Sequence, residues 1–169
     1  MKDEMVKAIV EGMKESGINF ITSLPCSVVK DLIPAIKKER AFMHVSVGNE
    51  GDAIGICAGA YFGGRKPALV AENSGLILGA HALMGTQYYL GGFPMLLVLD
   101  HKGDFGESDG YFYFGGGNLV PPILSALQIP YSIVRDGKDF KKEIIRGQKT
   151  AEASGKPVAV LLSGEDAWQ

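Results

Sequence analysis

Phe42–Ala60 reads FMHVSVGNEGDAIGICAGA. Its first six residues form a strand-like run that stops at Gly48-Asn49. From there the pattern turns helical, and Gly51, Gly55, Gly59 and Gly63 recur at every fourth residue. That spacing puts the four glycines on one helical stripe. Each costs roughly 1 kcal/mol against alanine in a helix interior, so a close-packed or bulky neighbour is expected on that face. A strand running straight into a helix is the building unit of a parallel α/β sheet. Glu50 stands at the junction.

Outward from this stretch the unit repeats. Residues 3–16 read as a helix with Met5, Val6, Ile9, Val10 and Met13 on one face and Gly17 as its stop. Ile18–Leu24 reads as a strand. Pro25-Cys26-Ser27 is a turn, with Ser27 the N-cap of a helix that carries Val28, Val29, Leu32 and Ile36 and contains Pro34. Further on come strand 67–72, the turn Asn73-Ser74-Gly75, helix 76–90 and the near-continuously apolar strand 94–100. A long loop, 101–117, leads to helix 118–128, strand 131–134, helix 138–153 and strand 157–162. The expected architecture is one α/β domain over residues 1–169, a doubly wound, mostly parallel six-stranded sheet with helices on both faces.

Bulk properties narrow the function. A net charge of −2 gives no electrostatic footprint for nucleic acid or anionic lipid. With 46% hydrophobic residues and no apolar run of about 18, neither a disordered chain nor a membrane span is expected. The start, Met1-Lys2-Asp3-Glu4, is charged and has no secretory character. Cys26 and Cys57 make neither a disulfide framework nor a zinc site, and a reducing, cytoplasmic setting is the expectation. No metal ligand set is read.

Sites in such sheets lie outside the C-terminal ends of the strands. Four loops leave those ends: Pro25-Cys26-Ser27, Gly48-Asn49-Glu50, Asn73-Ser74-Gly75 and Asp100-His101-Lys102-Gly103-Asp104. Glu50 is either a first-turn acid behind an Asn49 cap, or a carboxylate facing a flat ring laid over the helix start. The glycine stripe serves close packing within the fold or across a dimer interface, or the border of that ring. Asn73-Ser74-Gly75-Leu76 is either an N-cap or a set of backbone N–H groups aimed at a ligand. Cys26 sits where a nucleophilic thiol is favoured, yet no His or Asn spacing supports a Cys–His pair. His101-Lys102 binds an anion or forms a solvated loop. His44 and His81 lie in apolar segments and read as core histidines. The loop 103–117 interleaves glycines with Phe105, Tyr111, Phe112, Tyr113 and Phe114, in the manner of a lid or a partner contact. Neither a Walker loop nor the Gly-x-Gly-x-x-Gly fingerprint is present.

Val47–Ala60 with Tyr61–Leu69 (YFGGRKPAL) resembles the pyrimidine-binding domain of thiamine diphosphate enzymes. Asn73-Ser74-Gly75-Leu76, Phe93–Val98 (FPMLLV) and Leu127–Tyr131 (LQIPY) extend the likeness. Leu24-Pro25-Cys26-Ser27 with Lys30, and Asp100-His101-Lys102-Gly103, resemble the sulfopyruvate and phosphonopyruvate decarboxylases.

The resemblance implies that Glu50 hydrogen-bonds the aminopyrimidine N1′ and so frees the 4′ nitrogen to take the thiazolium proton. It implies further that Asn73, Ser74, Gly75 and Leu76 border the cofactor. Pro25, Cys26, Ser27, Lys30, His101 and Lys102 then face a 2-oxo acid, the lysines matching a sulfonate or phosphonate. These enzymes hold diphosphate and Mg²⁺ through Gly-Asp-Gly and a following Asn. The nearest sequences here, Ser108-Asp109-Gly110 and Arg135-Asp136-Gly137, lack both features. The expectation is therefore a split enzyme. This chain matches an α subunit, and a separate diphosphate-binding β subunit holds Mg²⁺ and completes an inter-chain site in an α₂β₂ or larger assembly. Other readings are a phosphonopyruvate decarboxylase-like subunit, a non-catalytic regulatory domain that binds a partner, and a stand-alone ligand binder.

Overall fold

The computed structural model describes residues 1–105, 111–135 and 139–164. Helices and strands alternate: α1 (Asp3–Glu15), β1 (Phe20–Ser23), α2 (Leu32–Lys38), β2 (Met43–Ser46), α3 (Glu50–Phe62), β3 (Pro67–Ala71), α4 (Gly75–Tyr89), β4 (Met95–Asp100), α5 (Tyr111–Ala126), β5 (Tyr131–Val134), α6 (Phe140–Ser154) and β6 (Pro157–Leu162). The strands form one sheet in the order β2-β1-β3-β4-β6-β5, and every neighbouring pair is parallel.

Strand residues alternate between two cores, as a period of two requires. Ile21, Val70, Val98 and Val160 meet α1, α2 and α6 on one face. Leu69, Leu97, Leu99 and Leu161 meet α3, α4 and α5 on the other. Central strands β3, β4 and β6 are buried at every position, which explains their unbroken apolar sequence. Among the described residues no helix is long and apolar enough to cross a membrane.

Three local expectations are corrected. The helix expected to begin at Ser27 begins at Leu32, and Ser27 is an exposed bend residue, not its cap. Pro34 explains the shift. It has no N–H to donate, and its ring would collide with the carbonyl of Lys30 in a longer helix, so it is tolerated only in the first turn. The helix expected from residue 118 begins at Tyr111, so Gly115–Gly117 are helical and not part of a loop. Gly117 is needed there because a Cβ would lie 2.5 Å from the Gly103 carbonyl oxygen. His81 is exposed on α4 and is not a core residue, whereas His44 is half-buried on the edge strand with Nε2 2.8 Å from Ser23 Oγ. Ser108-Asp109-Gly110 and Asp136-Gly137 lie outside the described residues, as do Gly106 and Gly110 of the glycine-rich segment.

Because all six strands run the same way, the loops after β1, β2, β3 and β4 emerge on one edge. The chain steps from β1 to β2 on one side and resumes with β3 on the other side of β1. That reversal opens a crevice between the β1 and β3 loops.

Candidate active site

Two carboxylates open α3, and they are used differently. Asn49 is the N-cap. Its Oδ1 accepts the Asp52 N–H at 2.8 Å, and its Nδ2 donates to Asp52 Oδ2 at 2.6 Å. This reciprocal pair satisfies the helix start, with Asp52 in solvent. Glu50 is left out of the cap and turns inward, only 7% exposed.

Its side chain lies in the groove between α3 and α4. A Cβ on Gly75 would overlap Glu50 Oε1, and one on Gly79 would stand 3.3 Å from Glu50 Cβ and 2.8 Å from Ile54 Cδ1. Glycine at these two positions of α4 therefore makes room for Glu50. Among the described residues no group donates a hydrogen bond to the Glu50 carboxylate. The cap does not use Glu50, and the space its side chain occupies depends on the two α4 glycines.

The turn Asn73-Ser74-Gly75 does not offer the ring of free amides that its sequence suggested. The N–H groups of Gly75, Leu76 and Ile77 donate to the carbonyls of Glu72, Asn73 and Ser74. Ser74 Oγ donates to Glu72 Oε1 at 3.0 Å and makes no cap bond. Asn73 is buried. Its N–H reaches Asp100 Oδ1 at 2.8 Å and its Nδ2 reaches the Lys102 carbonyl at 3.0 Å. Leu76 is buried in the core beneath. Glu50 and Gly75 thus touch, while Asn73 and Leu76 support the turn from below.

The β1 and β4 loops supply the remaining candidates. Pro25, Ser27 and Lys30 are exposed, and Cys26 is half-buried with Sγ accepting the Val29 N–H at 3.4 Å. Burial raises the Cys26 thiol above its ordinary pKa, with Asp100 and Glu72 adding to the effect against the bonds from Val29 and Val28. A protonated thiol is a poor nucleophile. Lys102 Nζ lies 4.2 Å above the Tyr113 ring. His101 is buried, with its N–H on the Leu162 carbonyl and Nε2 3.5 Å from Asp104 Oδ1.

Sequence reasoning gave no role to Asp104, which gathers this corner. It accepts from Arg135 Nε at 2.7 Å, Arg135 Nη2 at 3.1 Å and Ser163 Oγ at 2.7 Å. Burial works against the Asp104 carboxylate, but the Arg135 and Ser163 bonds outweigh it and hold its pKa below the ordinary value. Nor did it single out Asp100, fully buried at the end of β4. An acid closing the apolar run MLLVLD was the available signal. Among the described residues, no three His, Cys, Asp or Glu side chains converge as a metal ligand set.

The outer side of α3 is bare. A Cβ on Gly55 or Gly59 would meet nothing within 4 Å, so these stripe glycines do not serve packing within the chain. Beside them, Val45–Gly48, Gly51, Asp52, Gly55 and Ile56 line an open cavity of about 570 Å³.

No family model matches the chain. Curated relatives do. The sulfopyruvate decarboxylase subunit alpha of Methanocaldococcus jannaschii is 37% identical over 92% of this chain and 90% of its own length. That of Methanococcus maripaludis is 31% identical over 92% of each. This chain belongs to the sulfopyruvate decarboxylase alpha-subunit family. As such an alpha-subunit homologue it spans nearly the whole length of those relatives, but only 33% of the phosphonopyruvate decarboxylase of Streptomyces viridochromogenes, to which it is 25% identical. A solved structure of 2-oxoglutarate:ferredoxin oxidoreductase from Magnetococcus marinus shares the fold, with a TM-score of 0.71 and 20% identity over 97% of this chain and 29% of that one.

Proposed function

We propose that this alpha-subunit homologue is the pyrimidine-binding subunit of a thiamine diphosphate-dependent 2-oxo acid decarboxylase, with sulfopyruvate as substrate. A diphosphate-binding beta subunit completes the site and holds Mg²⁺. The observation that carries the reading is the Glu50 carboxylate, buried outside the helix cap and laid against Gly75. The residues present fit the cofactor. The Glu50 carboxylate lies where a Cβ at Gly75 would fill its space, outside the helix cap. Gly75 lines that cradle, and Asn73 and Leu76 support it from below.

Bound thiamine diphosphate supplies the electron sink for loss of CO₂. The protein's share is proton control. Glu50 would hold a proton at N1′ of the aminopyrimidine, from a side chain fixed in the groove between α3 and α4. The crevice after β1 receives the 2-oxo acid between Pro25, Cys26, Ser27 and Lys30 on one side and Lys102 on the other. The two lysines offer the positive charge that a sulfonate needs. His101 stands beside Asp104 in the β4 loop, next to Lys102. The bare glycines of α3 and the exposed apolar residues of α4 suit a covering subunit.

The test is CO₂ release by the chain reconstituted with its diphosphate-binding subunit, thiamine diphosphate and Mg²⁺, on sulfopyruvate, phosphonopyruvate and pyruvate. Glu50→Gln should lower turnover by about 100-fold or more while the complex still assembles. Near-normal turnover of Glu50→Gln would remove this residue from the mechanism, and a preference for phosphonopyruvate would reassign the substrate.

A further inference from the structure

Asp100 ends β4 in the middle of the sheet and is fully buried. Its two carboxylate oxygens face two different loops. Oδ1 accepts the Asn73 N–H at 2.8 Å, from the turn between β3 and α4. Oδ2 accepts the Lys102 N–H at 3.2 Å, from the turn after β4. Asn73 Nδ2 then donates to the Lys102 carbonyl at 3.0 Å and closes the ring between the loops. Gly116 of α5 leaves room for this, since a Cβ there would lie 3.0 Å from Asn73 Oδ1. Two residues beyond Asn73 stands Gly75, the residue against which the Glu50 carboxylate rests.

We propose that Asp100 is a positioning residue for Glu50: by tying the Asn73 and Lys102 amides together it fixes the start of α4, and with it the cradle that aims the Glu50 carboxylate. This rests on the functional reading given above. Asp100 touches neither Glu50 nor the reacting atoms. Its effect passes through the backbone from Asn73 to Gly75.

The clamp responds to pH. Burial pushes the Asp100 carboxyl up to about 7, against the lowering effect of the Asn73 and Lys102 amides, with Glu72 on the β3–α4 turn adding repulsion. Cys26 faces it from the β1 loop, and His101 and Lys102 follow it on its own loop. As a carboxylate, Asp100 accepts from both amides. As a neutral acid, one oxygen carries the proton and accepts poorly, so one loop is released.

The experiment uses the full chain and the reconstituted complex. In the wild-type full chain, the ¹H–¹⁵N resonances of the Asn73 and Lys102 amides should titrate together with a midpoint near 7. This readout needs no variant and no bound cofactor. In the complex, Asp100→Asn keeps the side-chain size but turns an NH₂ group toward one of the two amides. It should lower kcat about 10-fold or more, because the orientation of the Glu50 cradle is lost. It should also abolish the acid limb of the wild-type kcat profile and speed hydrogen exchange at Asn73–Leu76. Amides that do not move between about pH 5 and 9, a range bracketing the Asp100 transition, overturn the proposal. So does an Asp100→Asn complex with wild-type kcat and pH profile. Glu50→Ala run in parallel separates the failures. An active Glu50→Ala complex overturns the functional reading and the clamp's role within it. An inactive one beside a wild-type-like Asp100→Asn overturns the clamp alone.

Discussion

At the scale of single residues, the difference between Glu50 and Asp52 decides what the helix start does. Asp52 and Asn49 satisfy the cap between them, so the neighbouring acid is free to turn inward. What keeps it there is the missing side chain at Gly75. The atoms that a Cβ would strike belong to the flexible end of Glu50, not to backbone. Gly75→Ala should therefore fold, with stability within about 1 kcal/mol of wild type, while displacing the carboxylate. Turnover of the reconstituted enzyme should fall about 10-fold or more, and wild-type turnover would mean that the resting place of Glu50 beside Gly75 is irrelevant. Asp100 has a stability signature as well. Its pKa is raised from 3.8 in the unfolded chain to about 7 in the fold, so between these values the native state binds more protons. The stabilisation that comes with protonation is complete below pH 3.8 and is lost as pH rises through about 7, at up to about 1.4 kcal/mol per pH unit. His44 acts in the opposite sense in part of this window, because burial first, and Lys37 second, lower its pKa. The measurement is therefore a difference: wild type minus Asp100→Asn in urea unfolding from about pH 5 to 8. It should slope downward with pH and flatten above about 7, and a flat difference would count against a titrating Asp100.

At the scale of elements, the strands were legible because β3, β4 and β6 are covered on both faces and carry continuous apolar runs. Helix starts were less so. Ser27 resembles a cap in one dimension, but the constraint that matters is Pro34 seven residues later, which forbids a helix through Lys30. In α5, three consecutive glycines argue locally for a loop. The helix forms there because Gly116 and Gly117 let it approach Asn73 and the Gly103 backbone, a contact that no local pattern announces. The inward turn of Glu50 has a sign in the sequence, its place before a glycine stripe. Asp100 has none, because an acid after an apolar strand looks the same whether it enters solvent or receives two buried amides. Gly117→Ala tests the packing argument. Alanine gains about 1 kcal/mol in an ordinary helix interior, but here its Cβ would press on the Gly103 and Lys102 carbonyls, and overpacking against backbone costs about 1–3 kcal/mol. The variant should be less stable in urea, and a more stable one would show that α5 need not approach so closely.

At the scale of the whole molecule, the two faces of the sheet are not equivalent. The layer of α1, α2 and α6 is closed outward by charge, including Lys141–Glu15 at 2.6 Å and Lys14–Glu39 at 2.8 Å. The layer of α3 and α4 presents apolar groups. Leu78 is 71% exposed and Tyr89 82%, with Ile77, Tyr88 and Leu90 also outward and Gly55 and Gly59 bare on α3. Burying such side chains stabilises by about 25 cal/mol per Å² of apolar area removed from water, a gain the single chain does not take. The asymmetry suits the proposed covering subunit on the side where Glu50 begins its helix. Leu78→Asp and Tyr89→Asp separate this face from the fold. Each position is exposed, so unfolding of the isolated chain should shift by no more than about 0.5 kcal/mol. In the proposed complex, a carboxylate would be buried without a partner, and affinity for the partner subunit should weaken about 10-fold or more. Titration calorimetry or sedimentation of the mixed subunits reads the constant directly. If both variants bind as tightly as wild type, the covering subunit docks elsewhere. The bare stripe of α3 would then be left without its explanation, although Glu50 would keep its place beside Gly75.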